Sequence, residues 1–202
     1  MKKTVIIIPL TNSIEEDVFK HFEDILEKTP EYVIFCIATN TENIHFDKLK
    51  KLESKFQEKM IMLTHLHQKS LTNIIIQAHQ FFLNNNDIEY FANYDFKNLV
   101  NINSLYNKID TIVNNPNLSV VFCERHYDME ISILSQKTIC LLTCFLNFNT
   151  KDYSICTNVI NKTVAHHVYN KCDINNRIFF KIYFITKLYT LFGRKKIRLA
   201  IY

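Results

Sequence analysis

Asn93-Tyr94-Asp95 sets a carboxamide and a carboxylate two residues apart at the end of a short strand-like run, Ile88-Glu89-Tyr90-Phe91-Ala92. A hard divalent ion prefers carboxylate oxygen and keeps much of its water shell. Asp95 is therefore a candidate to hold an ion that bridges a ligand's phosphates, with Asn93 offering a weaker, neutral carbonyl. The alternative is that Asp95 caps the following turn and Asn93 helps to form it.

Other chemistry-bearing residues give weaker patterns. His65-x-His67, His79, His126 and His166-His167 lack the spaced second pair of a structural zinc site and the His-Glu-x-x-His helix of a metalloprotease, so they read as loop and surface histidines. Cys140 and Cys144 share a helix face among apolar neighbours, and none of the six cysteines forms a Cys-x-x-Cys pair. Reduced, buried thiols in a cytosolic protein are the expectation. There is no Gly-x-Ser-x-Gly elbow for a hydrolase.

The elements that must position these groups follow from pattern. Of the 202 residues 48% are hydrophobic and 22% charged, which suits one folded domain spanning residues 1–202. A single glycine, Gly193, excludes Walker-type and dinucleotide-fingerprint phosphate loops, because glycine is what lets backbone approach a phosphate closely. The net charge of +4 is spread along most of the chain and gives no footprint for nucleic acid. Val5 to Ile8 is too short for a signal-peptide core, so secretion is not expected.

Val5 to Ile8 reads as a strand buried on both faces and closed by Pro9, and Ser13 with Glu15 and Glu16 offers a cap and an acidic first turn for a helix running to about Leu26. The alternation continues: strand Tyr32 to Ala38, helix Phe46 to Phe56, strand Met60 to Leu63, helix Leu71 to Leu83, strand Ile88 to Ala92, helix Ser104 to Val113, strand Leu118 to Cys123. This predicts an α/β fold with a mostly parallel central sheet flanked by helices. Further on, Ile131 to Leu146 reads as a helix, Asp152 to Thr157 as a short strand, Val159 to Tyr169 as a helix and Ile197 to Ile201 as a last strand. Ligands of such sheets bind beyond the carboxyl ends of the strands, which singles out Thr11 and Asn12, Thr39 to Thr41, His65 to Lys69, Asn93 to Asp95, and Glu124 to Tyr127.

Arg177 to Phe192 is apolar and aromatic, interrupted by Lys181 and Lys187, and the basic run Arg194-Lys195-Lys196-Ile197-Arg198 follows it. It is too short and too charged to span a membrane. Two readings stay open: peripheral contact with an anionic membrane surface, or a core helix with a solvated basic turn, the second favoured because aromatic residues all round a segment mark burial.

Taken in order, these segments resemble a family 2 glycosyltransferase of the GT-A (nucleotide-diphospho-sugar transferase) fold, closest to the dolichol-phosphate mannosyltransferase-like branch. Val5-Ile6-Ile7-Ile8-Pro9-Leu10-Thr11-Asn12 with Glu15 resembles the opening "V-I-I-P-x-x-N-E" strand and loop. Lys69-Ser70-Leu71 resembles "N-K-G-L", and Ile88 to Asp95 resembles the strand ending in the metal motif. Leu118 to Tyr127 resembles "V-V-x-G-S-R-Y", Asp152 to Cys156 loosely resembles "D-x-x-S-G-F", and Leu191 to Ile197 resembles a late strand with "G-y-k-I".

The resemblance implies a nucleotide-sugar donor, a lipid-phosphate or glycan acceptor, and a location in the cytoplasm or at the cytoplasmic membrane face. It implies donor contacts at Pro9, Thr11, Asn12, Glu15, Thr39, Lys69 and Asn93, an Mg or Mn ion at Asp95, and Asp152 and Arg125 near the acceptor and phosphates as catalytic residues. The departures are also legible. The family's paired Asp after the second strand falls near Cys36-Ile37, the first Asp of the metal motif is Asn93, and Ser70, Cys123 and Ile155 stand where the family uses Gly. Three readings follow from this mixture: a glycosyltransferase with weakened or unusual donor binding; a catalytically inactive relative that uses the scaffold to bind a partner or a membrane-associated glycosylation complex; or, from the fold alone, a nucleotide-binding α/β domain of different chemistry, which the poor glycine content disfavours.

Overall fold

The computed structural model describes residues 2–10, 16–65, 70–96, 99, 102–115, 119–122, 158–196 and 200–201. The apolar, β-branched runs form strands and the periodic segments between them form helices. In order these are β1 (Lys3–Leu10), α1 (Glu16–Lys28), β2 (Val33–Asn40), α2 (Phe46–Lys55), β3 (Met60–His65), α3 (Leu71–Leu83), β4 (Ile88–Asn93), α4 (Ile102–Asn114), β5 (Val120–Phe122) and β6 (Asn158–Asn161). A helix α5 (Lys162–Tyr169), a longer helix α6 (Arg177–Lys196) and β7 (Ala200–Ile201) complete the set. The strands make one sheet in the order β3-β2-β1-β4-β6-β5-β7. The first four are parallel, β6 runs antiparallel to both of its neighbours, and β5 and β7 pair in parallel.

Side chains alternate between two apolar layers. Ile6, Ile8, Phe35 and Ile37 meet α1, α2 and α4 through Phe22, Leu26, Leu49 and Ile109, whereas Val5, Ile7, Cys36 and Phe91 meet α3, α5 and α6 through Ile75, Phe82, Val168, Phe180 and Phe184. Each such fully buried aliphatic or aromatic side chain contributes about 1.5–3 kcal/mol relative to exposure. β1 and β2 are apolar on both faces because both faces are covered. The outer edge of the sheet, β3, is closed at one point by an acid: the Met62 amide donates to Glu53 Oε1 at 2.7 Å.

Several sequence expectations are corrected. Pro9 does not close β1, which runs on to Leu10 and pairs Pro9 with Ala38 of β2. Val159 to Asn161 is strand, not helix. The Asn161 carboxamide then caps α5 by accepting the Val164 amide at 3.0 Å. Leu191 to Lys196, matched to a late strand, is the last part of α6. That helix buries Phe180, Phe184 and Leu188 against α3 and α5 and leaves Phe179 65% exposed, so it is a core helix over its described side chains. The expected helix Ile131 to Leu146 and strand Asp152 to Thr157 lie outside the described residues.

The shortage of glycine is met at the exit of α5. Lys171 takes φ 60°, a left-handed conformation that costs a residue with a Cβ about 1–2 kcal/mol. The Gln80 carboxamide donates to the carbonyls of Tyr169 at 3.0 Å and Cys172 at 3.1 Å, tying that turn to α3.

His79, expected at the surface, is fully buried in α3. Its ring stacks on Tyr169 with centroids 3.6 Å apart and lies 5.4 Å from Phe91, and Nδ1 donates to the Ile75 carbonyl at 2.8 Å. Burial disfavours the charged ring and pulls its pKa from 6.5 down to about 3. The unfolded chain therefore takes up this proton first as pH falls. The stabilisation is fully present above the unfolded value and is lost toward the folded one, at about 1.4 kcal/mol per pH unit. Replacing His79 with Phe, which keeps the stack, is expected to flatten this part of the stability-versus-pH curve in urea unfolding between about pH 6 and 4. An unchanged slope would contradict the assignment.

Candidate functional site

The sheet changes direction of growth at β1: β2 and β3 lie on one side of it, β4 on the other. Crevices in open α/β sheets form at such a switch point, beyond the carboxyl ends of the two strands. Here the two strands end at different heights. Ile7 pairs with Asn93, the last residue of β4, whereas β1 continues beside β2 until Leu10 meets Thr39. Pro9 thus stands two residues beyond the end of β4, roughly 7 Å farther along the strand axis.

The cause is a missing donor. The Lys3 amide and the Ile7 carbonyl bond toward β4, through Asp87 and Tyr94, and the Thr4 amide bonds toward β2. Alternation by two turns the Pro9 nitrogen toward β4, and proline has no hydrogen to offer there. Pairing between the strands stops after the Tyr94 amide reaches the Ile7 carbonyl at 2.9 Å.

The chain leaving β4 is pinned by aromatics on both sides of Asp95. Tyr94 and Phe96 are buried in the α1 layer, Phe96 lying 5.1 Å from Phe22 and 6.1 Å from Phe19 between ring centroids. Asp95, between two anchored neighbours, is partly exposed two residues past the end of β4.

Asn93 goes the other way. Its side chain is on the Phe91 face, fully buried, and its Nδ2 donates to Asn158 Oδ1 at 3.1 Å and to the Tyr169 hydroxyl at 3.3 Å. Asn158 is its cross-strand partner on β6. The structure therefore separates the two residues that the sequence motif joins: Asp95 is partly exposed past the strand end, and Asn93 lies in the interior.

Of the other expected site residues, Pro9 and Thr39 lie next to the carboxyl ends of β1 and β2, with the Thr39 side chain fully buried. Thr11, Asn12, Glu15, Lys69, Arg125 and Asp152 lie outside the described residues. Cys36 and Ile37 are internal to β2, and the first residues past that strand are Thr41 and Glu42. Ser70 needs no glycine geometry. It caps α3 in an extended conformation, accepting from the Asn73 amide at 3.3 Å and donating to the Asn175 carbonyl at 2.9 Å.

His45 was missed by sequence reasoning. It follows β2, packs 5.2 Å from the Phe19 ring, is 9% exposed, and has no partner for Nε2 among the described residues. Its signal was its place after a strand's carboxyl end, but it carries no spacing to another histidine.

No group of three or more His, Cys, Asp or Glu side chains among the described residues could hold a metal by itself. Asn93 is turned inward, away from Asp95.

No family profile and no curated protein sequence matches the chain. Solved structures do. A 4-diphosphocytidyl-2C-methyl-D-erythritol synthase is similar at 14% identity and a TM-score of 0.52 over 90% of this chain and 86% of that one. The synthase of the same name from Anaerococcus prevotii DSM 20548 is similar at 13% identity and a TM-score of 0.55 over 96% of this chain and 86% of that one. At these identities the likeness establishes the fold, which is the GT-A, nucleotide-diphospho-sugar transferase type.

Changing Asn93 to Asp would turn the motif into Asp-x-Asp, yet it would set a carboxylate in the interior and remove both donors. The expected result is a loss of about 2 kcal/mol or more at neutral pH in urea unfolding, with no gain in manganese affinity by calorimetry. Tighter manganese binding would show that Asn93 faces the ion site after all.

Proposed function

We propose that the crevice where β1 and β4 part binds the diphosphate of a nucleotide sugar, and that the chain transfers the sugar to a lipid-phosphate or glycan acceptor, in the manner of the family 2 branch that its motifs resemble. The observation that carries this reading is Asp95: a carboxylate held between two buried aromatics at the switch point of a GT-A sheet. An Mg or Mn ion would be held there by Asp95 together with the ligand's phosphate oxygens, and would offset the charge that develops on the leaving diphosphate. Pro9 and the carboxyl end of β2 beyond Thr39 would wall the donor. Thr11, Asn12, Glu15 and Lys69 are the further donor contacts that the resemblance implies, with Arg125 and Asp152 toward the acceptor. No described helix is long and apolar enough to cross a membrane.

A second reading is nucleotidyl transfer, in which a nucleoside triphosphate rather than a sugar nucleotide occupies the crevice. It is favoured by the two structural neighbours, both named as synthases of a diphosphocytidyl compound.

Melting of the full chain with UDP-glucose, GDP-mannose or CTP, each with manganese, separates the readings. A ligand at about a hundred times its dissociation constant adds about 2.7 kcal/mol, a rise of roughly 5–10 °C for a chain of this size. Glycosyl transfer is expected to give the rise with a sugar nucleotide, nucleotidyl transfer with CTP, and Asp95→Ala should remove it in either case. No rise with any nucleotide would sink both and leave the binding scaffold.

A further inference from the structure

Beneath the end of β4 two buried acceptors lack a donor. His79 Nε2 and Asn93 Oδ1 are enclosed and have no hydrogen-bond partner among the described residues. The chemistry of each is fixed by what its other atoms do. A carbonyl can only accept, so the 2.8 Å contact with Ile75 puts the proton on His79 Nδ1 and leaves Nε2 of the neutral ring as a lone pair. Both hydrogens of the Asn93 carboxamide are committed, one to Asn158 and one to Tyr169, so Oδ1 also has only lone pairs to offer.

Both groups touch the same side chain. The imidazole lies 3.6 Å above the Tyr169 ring, and Asn93 holds the Tyr169 hydroxyl. Two acceptors cannot bond each other, and native interiors rarely leave such atoms unmatched.

We propose that one internal water molecule is bound here, giving one hydrogen to His79 Nε2 and the other to Asn93 Oδ1, and so fastening the third turn of α3 to the carboxyl end of β4. Its two hydrogens match the two acceptors, and buried waters characteristically serve polar groups that protein atoms leave over. A cation is the poorer occupant. The described surroundings are the rings of Phe91 and Tyr169 and the Ile75 turn, with no carboxylate among the described contacts of the His79 or Asn93 side chain. The site stands independently of nucleotide binding. Its consequence for the crevice is mechanical, since Asn93 is the residue from which Tyr94 and Asp95 leave the sheet.

The test is NMR on the full chain labelled with nitrogen-15. Long-range nitrogen–proton correlation is expected to show His79 protonated on Nδ1, with Nε2 shifted as a hydrogen-bonded acceptor. Rotating-frame cross-relaxation is expected to show a long-lived water beside the His79 ring. Oxygen-17 relaxation dispersion should count one long-lived water fewer in His79→Phe than in the wild type. Three outcomes overturn the proposal: an Nε2-protonated ring, an Asn93 amide hydrogen donated directly to Nε2, or no water cross-peak at the ring. The wild-type measurements decide the matter even where the variant does not fold.

Discussion

A nitrogen without a hydrogen sets the geometry at the carboxyl ends of the central strands. β1 is the central strand on which the parallel half of the sheet is built, and a proline within such a strand removes a ladder bond. Here the loss falls on one side only, facing β4 beyond Asn93, while pairing with β2 continues to Leu10. The strands separate where the bond would have been, leaving a step between their ends. The aromatic anchors, the partly exposed carboxylate and the buried amide are all arranged with respect to that step.

The two faces of the sheet then do different work at the same height. On the α1 side, Tyr94 and Phe96 hold the departing chain by apolar contact, which tolerates small shifts. On the α3 and α5 side, Asn93, Asn158, Tyr169 and His79 hold the strand end by directional polar and stacking contacts, which do not. An open sheet edge here would leave backbone groups unsatisfied. β6 runs antiparallel along β4 and covers it, pairing Asn158 with Asn93. The carboxylate is thereby presented from a strand end fixed on both faces and on its flank.

Much of this was legible in the sequence because it depends on near neighbours. The β-branched run Val5 to Ile8 and the period of Leu71 to Leu83 gave the core strand and α3 with little ambiguity, and the order of elements gave the fold. What could not be read depends on partners far along the chain. Asn93 looked like a damaged ligand because its true partners, Asn158 and Tyr169, are 65 and 76 residues away. His79 looked like a surface residue because nothing local announces that Tyr169 and Phe91 will enclose it. Val159 to Asn161 was absorbed into the helix that follows, since a four-residue strand is shorter than the window in which periodicity is measured. Pro9 was taken as a stop because proline usually is one, and only the register reveals that its nitrogen faces a gap.

Glu53 bears on a different property, the company this protein keeps in solution. The free side of an outermost strand is a template on which another chain can add itself, and natural proteins blunt it with charge. By taking the Met62 amide, the Glu53 carboxylate occupies one rung of that template with a group that a newcomer would have to displace and rehydrate. Growth of the sheet outward from β3 is thus discouraged at its centre, which biases the chain toward remaining a discrete particle rather than the seed of a ribbon.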